Sequence, residues 1–381
     1  MSRAAACSAR LADGRVLVAG GASDSGALAN ADLYSTDGTV KTGSPMLQPR
    51  ANAACVTMAD GRVLVTGGLR GKTILNTAEI YDPATDQWTD AGTMAMARSG
   101  HSAVLSPWGA VLIVGGEDSG TLEAFLTNNT FATLGKLETP RTDYALAITP
   151  SHKLLIFGGS SSGSTISSIE MFDPDTNKVT TVGRLVAARK NFAAAALYNG
   201  TVLVSGGIDA NGQVVNTTEI FDPEKGESAP GPTMAQARAN HQAHLLPNNG
   251  SVLLIGGNDR DGVLASTEVY TPWTGNLAPT GKMRNARSSM ASSLLTRGGV
   301  LVAGGKGMNG PLSGSERYRF ATIETGKLDY HPGEVASFTG SGWKPGEQVM
   351  LQVQAFPLDQ HQLEFSAVAV ADGMGEIKAT G

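Results

Sequence analysis

Short runs that are apolar at every position punctuate the chain, and each ends in two glycines. They close at Gly20-Gly21, Gly67-Gly68, Gly115-Gly116, Gly158-Gly159, Gly206-Gly207, Gly256-Gly257 and Gly304-Gly305. The intervals between them run from 43 to 50 residues. A run such as VLVTGG, apolar without alternation, predicts a strand covered on both faces. Seven of them at nearly one period predict a repeat architecture. The diglycine predicts backbone that leaves the strand through angles a Cβ forbids.

Other positions keep the same beat. An arginine lies 17 residues before the first glycine in six repeats and 18 in the other: Arg3, Arg50, Arg98, Arg141, Arg189, Arg238 and Arg287. After the glycines comes an acid, one residue, then an aromatic, as in Asp32/Tyr34, Glu79/Tyr81, Glu123/Phe125, Glu170/Phe172, Glu219/Phe221, Glu268/Tyr270 and Glu316/Tyr318. Asp82-Pro83, Asp173-Pro174 and Asp222-Pro223 end that strand, because proline cannot donate to a ladder. An Ala/Ser-rich strand follows each arginine, and a weaker fourth appears at Gln87-Trp88-Thr89 and Lys178-Val179-Thr180. Helical periodicity is absent. Four short strands per ~40–50 residues predict propeller blades. The small side chains suit the crowded strand nearest the axis, and the apolar run suits the space between blades.

Composition narrows the rest. The 381 residues carry 29 Lys+Arg against 34 Asp+Glu, a net charge of -5 that argues against a general nucleic-acid binder. No apolar stretch approaches the ~20 residues of a membrane span. Two cysteines exclude a disulfide-rich scaffold. The 48 glycines belong to a turn-rich β protein once the apolar runs are counted.

The diglycine, the Glu-x-Tyr/Phe, the Trp88 position and the Arg-Ser-Gly-His of Arg98 to His101 resemble kelch repeats. The resemblance implies an all-β fold: a seven-bladed kelch-type propeller over residues 1–320. It says little about activity, since propellers host many. Trp88 is the only tryptophan at its repeat position; other blades place Val40, Phe131, Val179 or polar residues there.

Residues 321–381 break the period. The stretches around Gly326 to Glu334 and Ser341 to Glu347, with alternating Val349 to Gln354, look like the start of a bacterial immunoglobulin-like β-sandwich. Such domains usually take ~100 residues, so the sandwich is expected to be incomplete and the chain truncated. Met1 stands where Met96 stands before Arg98, so it reads as an internal methionine. No signal peptide is visible. Blade seven has three clear strands, or borrows its fourth from around Phe320 to Thr325.

The arginine series is the leading candidate site. Facing one mouth of the channel, the seven would form a cationic ring for an acidic peptide, an acidic sugar or a phosphate. Equally, seven arginines and seven acids in one repeat can pair as structural bridges. His101 and His241, three residues after repeat arginines, join the ligand-binding candidates, or simply fill a repeat position near the channel. His241 and His244 lie three apart on a strand and so face opposite sides, which disfavours a shared metal. The loops Ser23 to Gly26, Asp209 to Gly212 and Asn258 to Gly262 read as turns rather than calcium loops. Cys7 and Cys55 lie 13 and 12 residues before their diglycines, on opposite faces of their strands, so no disulfide is expected.

The architecture is similar to galactose oxidase, whose copper-radical chemistry implies a Tyr crosslinked to a Cys, a Tyr-His pair and a further His. Neither cysteine has a tyrosine in register; Tyr330-His331 and His361 match only loosely. A kelch-type sugar epimerase is a second enzymatic option. The expectation is a monomeric, non-enzymatic recognition module, secreted or at the cell surface. It would bind a glycan or protein at one face and need no metal or other cofactor.

Overall fold

The computed structural model of the chain describes residues 1–381 apart from 150, 248, 320, 328–330, 332, 333, 342, 344, 345, 354–364, 374, 375 and 381. Seven antiparallel sheets follow one another along the chain. Blade one takes Cys7–Arg10, Val16–Ala19, Ala31–Tyr34 and Val40–Thr42, from inner to outer strand. Blade two takes Ala54–Thr57, Val63–Thr66, Thr77–Asp82 and Gln87–Thr93. Blades three to six repeat the order, starting from Ser102–Leu105, Ala145–Ile148, Ala193–Ala196 and Gln242–Leu245. Among the described residues blade seven has three strands, Ala291–Leu294, Val300–Ala303 and Ser315–Tyr318. Among the described residues the only helical turn is the 3-10 turn Thr296–Gly298, and no helix is long and apolar enough to cross a membrane. The molecule is therefore all-β, a seven-bladed propeller.

The apolar run forms the second strand of every blade and is buried at all four positions in each. Each side chain of a strand covered on both faces removes apolar area from water, at ~1.5–3 kcal/mol per large aliphatic residue. The core is divided into clusters, each joining two neighbouring blades. Leu17 and Leu33 of blade one meet Val63, Val65, Tyr81 and Trp88 of blade two. Blades four and five meet through Phe157 and Phe221, edge to face. Trp88 packs at a tilt against Tyr81 and donates from Nε1 to the Ser44 carbonyl on the link from blade one.

Inner strands follow a parity. Residues four and six after the repeat arginine face the next blade, and those five and seven after it face the previous one. Ala145 and Ala147 of blade four thus pack with Ala194 and Ala196 of blade five.

Among the described residues the ring closes without a shared strand. Arg3 N–H donates to Leu312 O, Gly305 N–H to Arg3 O and Ala5 N–H to Ser289 O. Val16, Val18 and Tyr34 pack on Ala291, Leu301 and Ala303. The Arg317 guanidinium caps the Ser35 and Thr36 carbonyls of blade one.

The chain divides into two compact units, Met1–Thr296 with Val300–Arg317, and Tyr318–Gly381 with Arg297–Gly299. The second holds a three-stranded sheet of Thr322–Thr325, Ser337–Ser341 and Ile377–Thr380, and a hairpin of Gln348–Val353 with Phe365–Val370. Phe338, Val349, Leu351, Ala369 and Ile377 form its core. Residues 322–325 pair there with 338–341, so they do not complete blade seven. Phe320 lies outside the described residues.

Candidate functional site

The repeat arginines do not line a mouth. All seven are at most 2% exposed. Arg50 shows the pattern: Nη1 donates to the carbonyls of Gly67 and Thr77 at 2.7 and 3.0 Å, and Nη2 to Glu79 Oε1 at 2.6 Å. Glu79 in turn accepts the backbone N–H groups of Leu47 and Gln48, on the link that enters the blade. The same pairs recur as Arg98–Glu123, Arg141–Glu170, Arg189–Glu219, Arg238–Glu268 and Arg287–Glu316. Each of those glutamates likewise accepts two link N–H groups. Arg3 pairs with Asp32, one methylene shorter. In blade three, Glu117 stands a further 3.7 Å from Arg98.

The expectation of a cationic ring open to an anion is corrected on this geometry. Desolvation at such sites is costly, so a buried guanidinium is held only where carboxylate and carbonyl oxygens surround it. Burial pulls the Arg141 pKa below its usual value, against the pull of Glu170. Burial would raise Glu316, but hydrogen bonds from Arg284 and Asn285 N–H and the Arg287 charge hold it below the usual carboxylate value.

The diglycines belong to the same lattice. Gly21 N–H donates to the carbonyl of Arg50, the arginine of the next blade. A Cβ on Gly20, whose φ is +66°, would lie 2.3 Å from that oxygen. A Cβ on Gly21 would meet Ala4 O at 2.8 Å. Both glycines are therefore forced, one by the next blade and one by its own.

His101 and His241 occupy the position three after the arginine, as do Ala6, Ala53, Tyr144, Phe192 and Met290. The larger side chains wedge between the diglycine of their own blade and that of the blade before. His101 Nε2 bonds Thr66 Oγ1 at 2.8 Å, and His241 Nε2 bonds Ser205 Oγ at 2.9 Å. Burial, with Arg98 and Arg50 nearby, lowers the His101 pKa to about 3. Burial and then Arg238 lower His241 to about 3 as well. Both are therefore neutral blade contacts, which corrects their reading as ligand-binding groups. His244 faces the other side of its strand and bonds Ser292 Oγ of blade seven. Among the described residues no three His, Cys, Asp or Glu side chains gather to hold a metal.

Cys7 and Cys55 are free thiols, but their facing does not keep them apart as expected. They do lie on opposite faces of their strands, but neighbouring blades present opposite faces to each other. Both thiols enter the cluster between blades one and two.

The acids of the loops after the diglycines build turns. Asp209 accepts N–H bonds from Asn211 and Gln213, and Asp259 from Asp261 and Gly262. Those loops and the inter-blade links share one face of the ring, since both leave the same ends of antiparallel strands. The blade-three loop, residues 115–120, is the shortest of the seven, and Glu117 folds it back by accepting Thr121 N–H at 2.7 Å. On the opposite face Trp108, Tyr198 and Trp273 are exposed, and the latter two flank Gly250.

A propeller of this kind, with buried Arg–Glu pairs and diglycine turns, defines a class of scaffold rather than an activity. The chain carries kelch motifs: the Kelch motif family model matches residues 49–95, 141–185 and 189–235. A fungal alcohol oxidase of the AA5 family, solved in complex with copper, shares the fold. The TM-score is 0.68 at 15% identity, over 99% of this chain and 90% of that one. No curated protein matches the chain at a significant level.

Among the described residues no donor set gathers that would hold a metal. His101, His241 and His244 are each bonded to a hydroxyl of a neighbouring blade, and the two cysteines face each other. Tyr330 and His361 lie outside the described residues.

Proposed function

We propose that the chain is a non-enzymatic recognition module that binds a glycan or a protein surface at one face of the propeller. One observation carries the reading: the charged repeat residues are consumed inside the ring, so only the blade-specific loops remain to select a ligand. Loops differ from blade to blade while the lattice repeats, which suits recognition on a fixed scaffold. The short blade-three loop leaves a low point on that rim between longer neighbours. The second unit is read as an immunoglobulin-like spacer that holds the binding head away from a bacterial cell surface. The module is taken to be secreted or surface-displayed, and monomeric.

The test is a glycan-array screen of the purified chain, with acidic and neutral sugars side by side. Selective capture that falls at least tenfold in Asp209→Ala or Asp259→Ala supports the reading. Capture indifferent to every loop substitution on that face refutes the placement. Loss on Trp273→Ala or Tyr198→Ala instead would favour a second reading, sugar stacking on the opposite face, where exposed aromatic rings offer apolar area with polar tips. Silence on the array leaves a protein partner.

The alternative is a carbohydrate-active enzyme, a kelch-type sugar epimerase or a copper oxidase, which the shared fold favours. Stoichiometric copper in the purified protein, with alcohol turnover, would replace our reading.

A further inference from the structure

The contact between Cys7 and Cys55 has no role in the lattice or the loop face. Cys7 lies four residues after Arg3 and Cys55 five after Arg50, so parity turns the first toward blade two and the second toward blade one. Two hydrogen bonds fix the strands side by side around them. Asn52 N–H donates to Ala5 O at 2.9 Å, and Thr57 Oγ1 donates to Arg10 O at 2.6 Å. The same parity puts His244 against Ser292 two interfaces round the ring, where the atoms meet at 2.8 Å. The two thiols share one apolar cluster with Ala9, Ala53, Val63 and Val65.

We infer that Cys7 and Cys55 form a redox site that a small disulfide oxidant converts into a covalent staple between blades one and two. Cys55 is half-buried and Cys7 buried, so the oxidant enters at Cys55. The Cys55 thiolate attacks one sulfur of the oxidant and forms a mixed disulfide, releasing one small thiolate. The Cys7 thiolate then attacks the Cys55 sulfur, forming the Cys7–Cys55 bond and releasing the second. Two protein thiols lose two protons and two electrons, and one small disulfide becomes two thiols. Burial first, then the neighbouring Cys7 thiol, raises the Cys55 pKa well above its ordinary value. The reaction therefore quickens about tenfold per pH unit below that pKa, because only the thiolate attacks.

The staple joins the two blades beside the ring closure. It closes a loop across a contact that is otherwise noncovalent. In an oxidising compartment it would form once and persist.

The experiment equilibrates the full chain with reduced and oxidised glutathione at pH 8.5, folded and in urea, followed by acid quench and trypsin without reductant. The staple links peptide 4–10 to peptide 51–62, with a mass lower by two hydrogens than the separate pair. In the unfolded chain the two thiols meet only at the effective concentration of a flexible loop, of the order of millimolar. The folded chain should exceed that equilibrium constant by at least about tenfold. Three results would overturn the inference: a folded constant no greater than the unfolded one, mixed disulfide on Cys55 without linked peptides, or crosslinks only between chains. Cys7→Ser should stop the reaction at the mixed disulfide; if that variant does not fold, the folded-to-unfolded comparison on the native chain still decides.

Discussion

Glu170 gives the sharpest test of the buried lattice. Its side chain is fully buried and accepts Arg141 Nη2 and the N–H groups of Glu138 and Thr139. Glu170→Gln keeps the volume but removes the charge and turns an amide N–H₂ toward groups that can only donate. Breaking one member of a buried pair strands the other, at about 3–5 kcal/mol. A domain is worth only ~5–15 kcal/mol in all, so this is a large share. Arg141→Met alone should cost a similar amount, by leaving Glu170 buried without its cation. The pair Arg141→Met/Glu170→Leu should cost less than the two single changes added, because no charge remains. It should not return to the native value. The link N–H groups stay unpaired, and each such group costs ~1–3 kcal/mol. Equilibrium urea denaturation at neutral pH measures all four proteins, with Asp13→Asn as the surface control. That carboxylate pairs with Arg15 in the open, where pairs contribute ~0–1 kcal/mol. A Glu170→Gln midpoint indistinguishable from the control would refute the claim that these pairs hold the links to the blades.

Three further outcomes follow from the same geometry. Arg98→Glu should lower stability by several kcal/mol, since it places a third acid beside Glu117 and Glu123; binding lost from a protein of native stability would restore the anion-ring reading. Gly206→Ala should cost more than Gly71→Ala. Both sit near φ +60°, but the new Cβ would lie 2.2 Å from Arg238 O in one case and in open space in the other; equal losses in melting temperature would refute the close-approach argument. His101 and His241 at about 3, and His244 at about 4, lie below the unfolded value of ~6.5. The unfolded chain therefore binds more protons, and stability is full above pH ~6.5 and falls as pH drops toward 3. His241→Gln should flatten that fall, measured as urea midpoint against pH.

The period, the apolar second strands and the diglycines were legible because each is a residue type forced by a backbone position. The arginine and the acid were legible as a series, and pairing was one of two readings open to it. What decided between them was burial, and burial depends on where the inner strand's first residues turn, which the spacing does not encode. The two link N–H groups on each glutamate were invisible, since backbone donors leave no mark in a sequence. The position three after the arginine was hidden by its variety: Ala6, His101, Phe192 and Met290 share a place, not a chemistry. Its only signal was the fixed offset. The facing of the two thiols was misjudged for a geometric reason. In a single sheet, opposite faces separate two side chains; in a ring of sheets, they bring neighbours together.

That ring geometry also bears on where specificity can reside. A guanidinium tied to its own blade's carbonyls and carboxylate, whose backbone carbonyl receives the previous blade's diglycine, is a joint between repeats. Changing one joint disturbs two blades, so the joints are poor places to vary a ligand preference. The loops beyond the diglycines meet the joints through their backbone, as where Leu28 O accepts Arg50 N–H and Val215 O accepts Arg238 N–H, while the exposed side chains at their tips take no part in that contact. Asp209 bonds backbone within its own turn, and Asp259 does so while also accepting Gln236 Nε2 from the link into blade six; the exposed neighbours Ala210, Asn211, Arg260 and Asp261 can change without touching a joint. A propeller built this way separates stability from selection. It follows that ligand preference should transfer with a loop swapped between blades, whereas swapping an arginine–acid pair should transfer nothing but its stability.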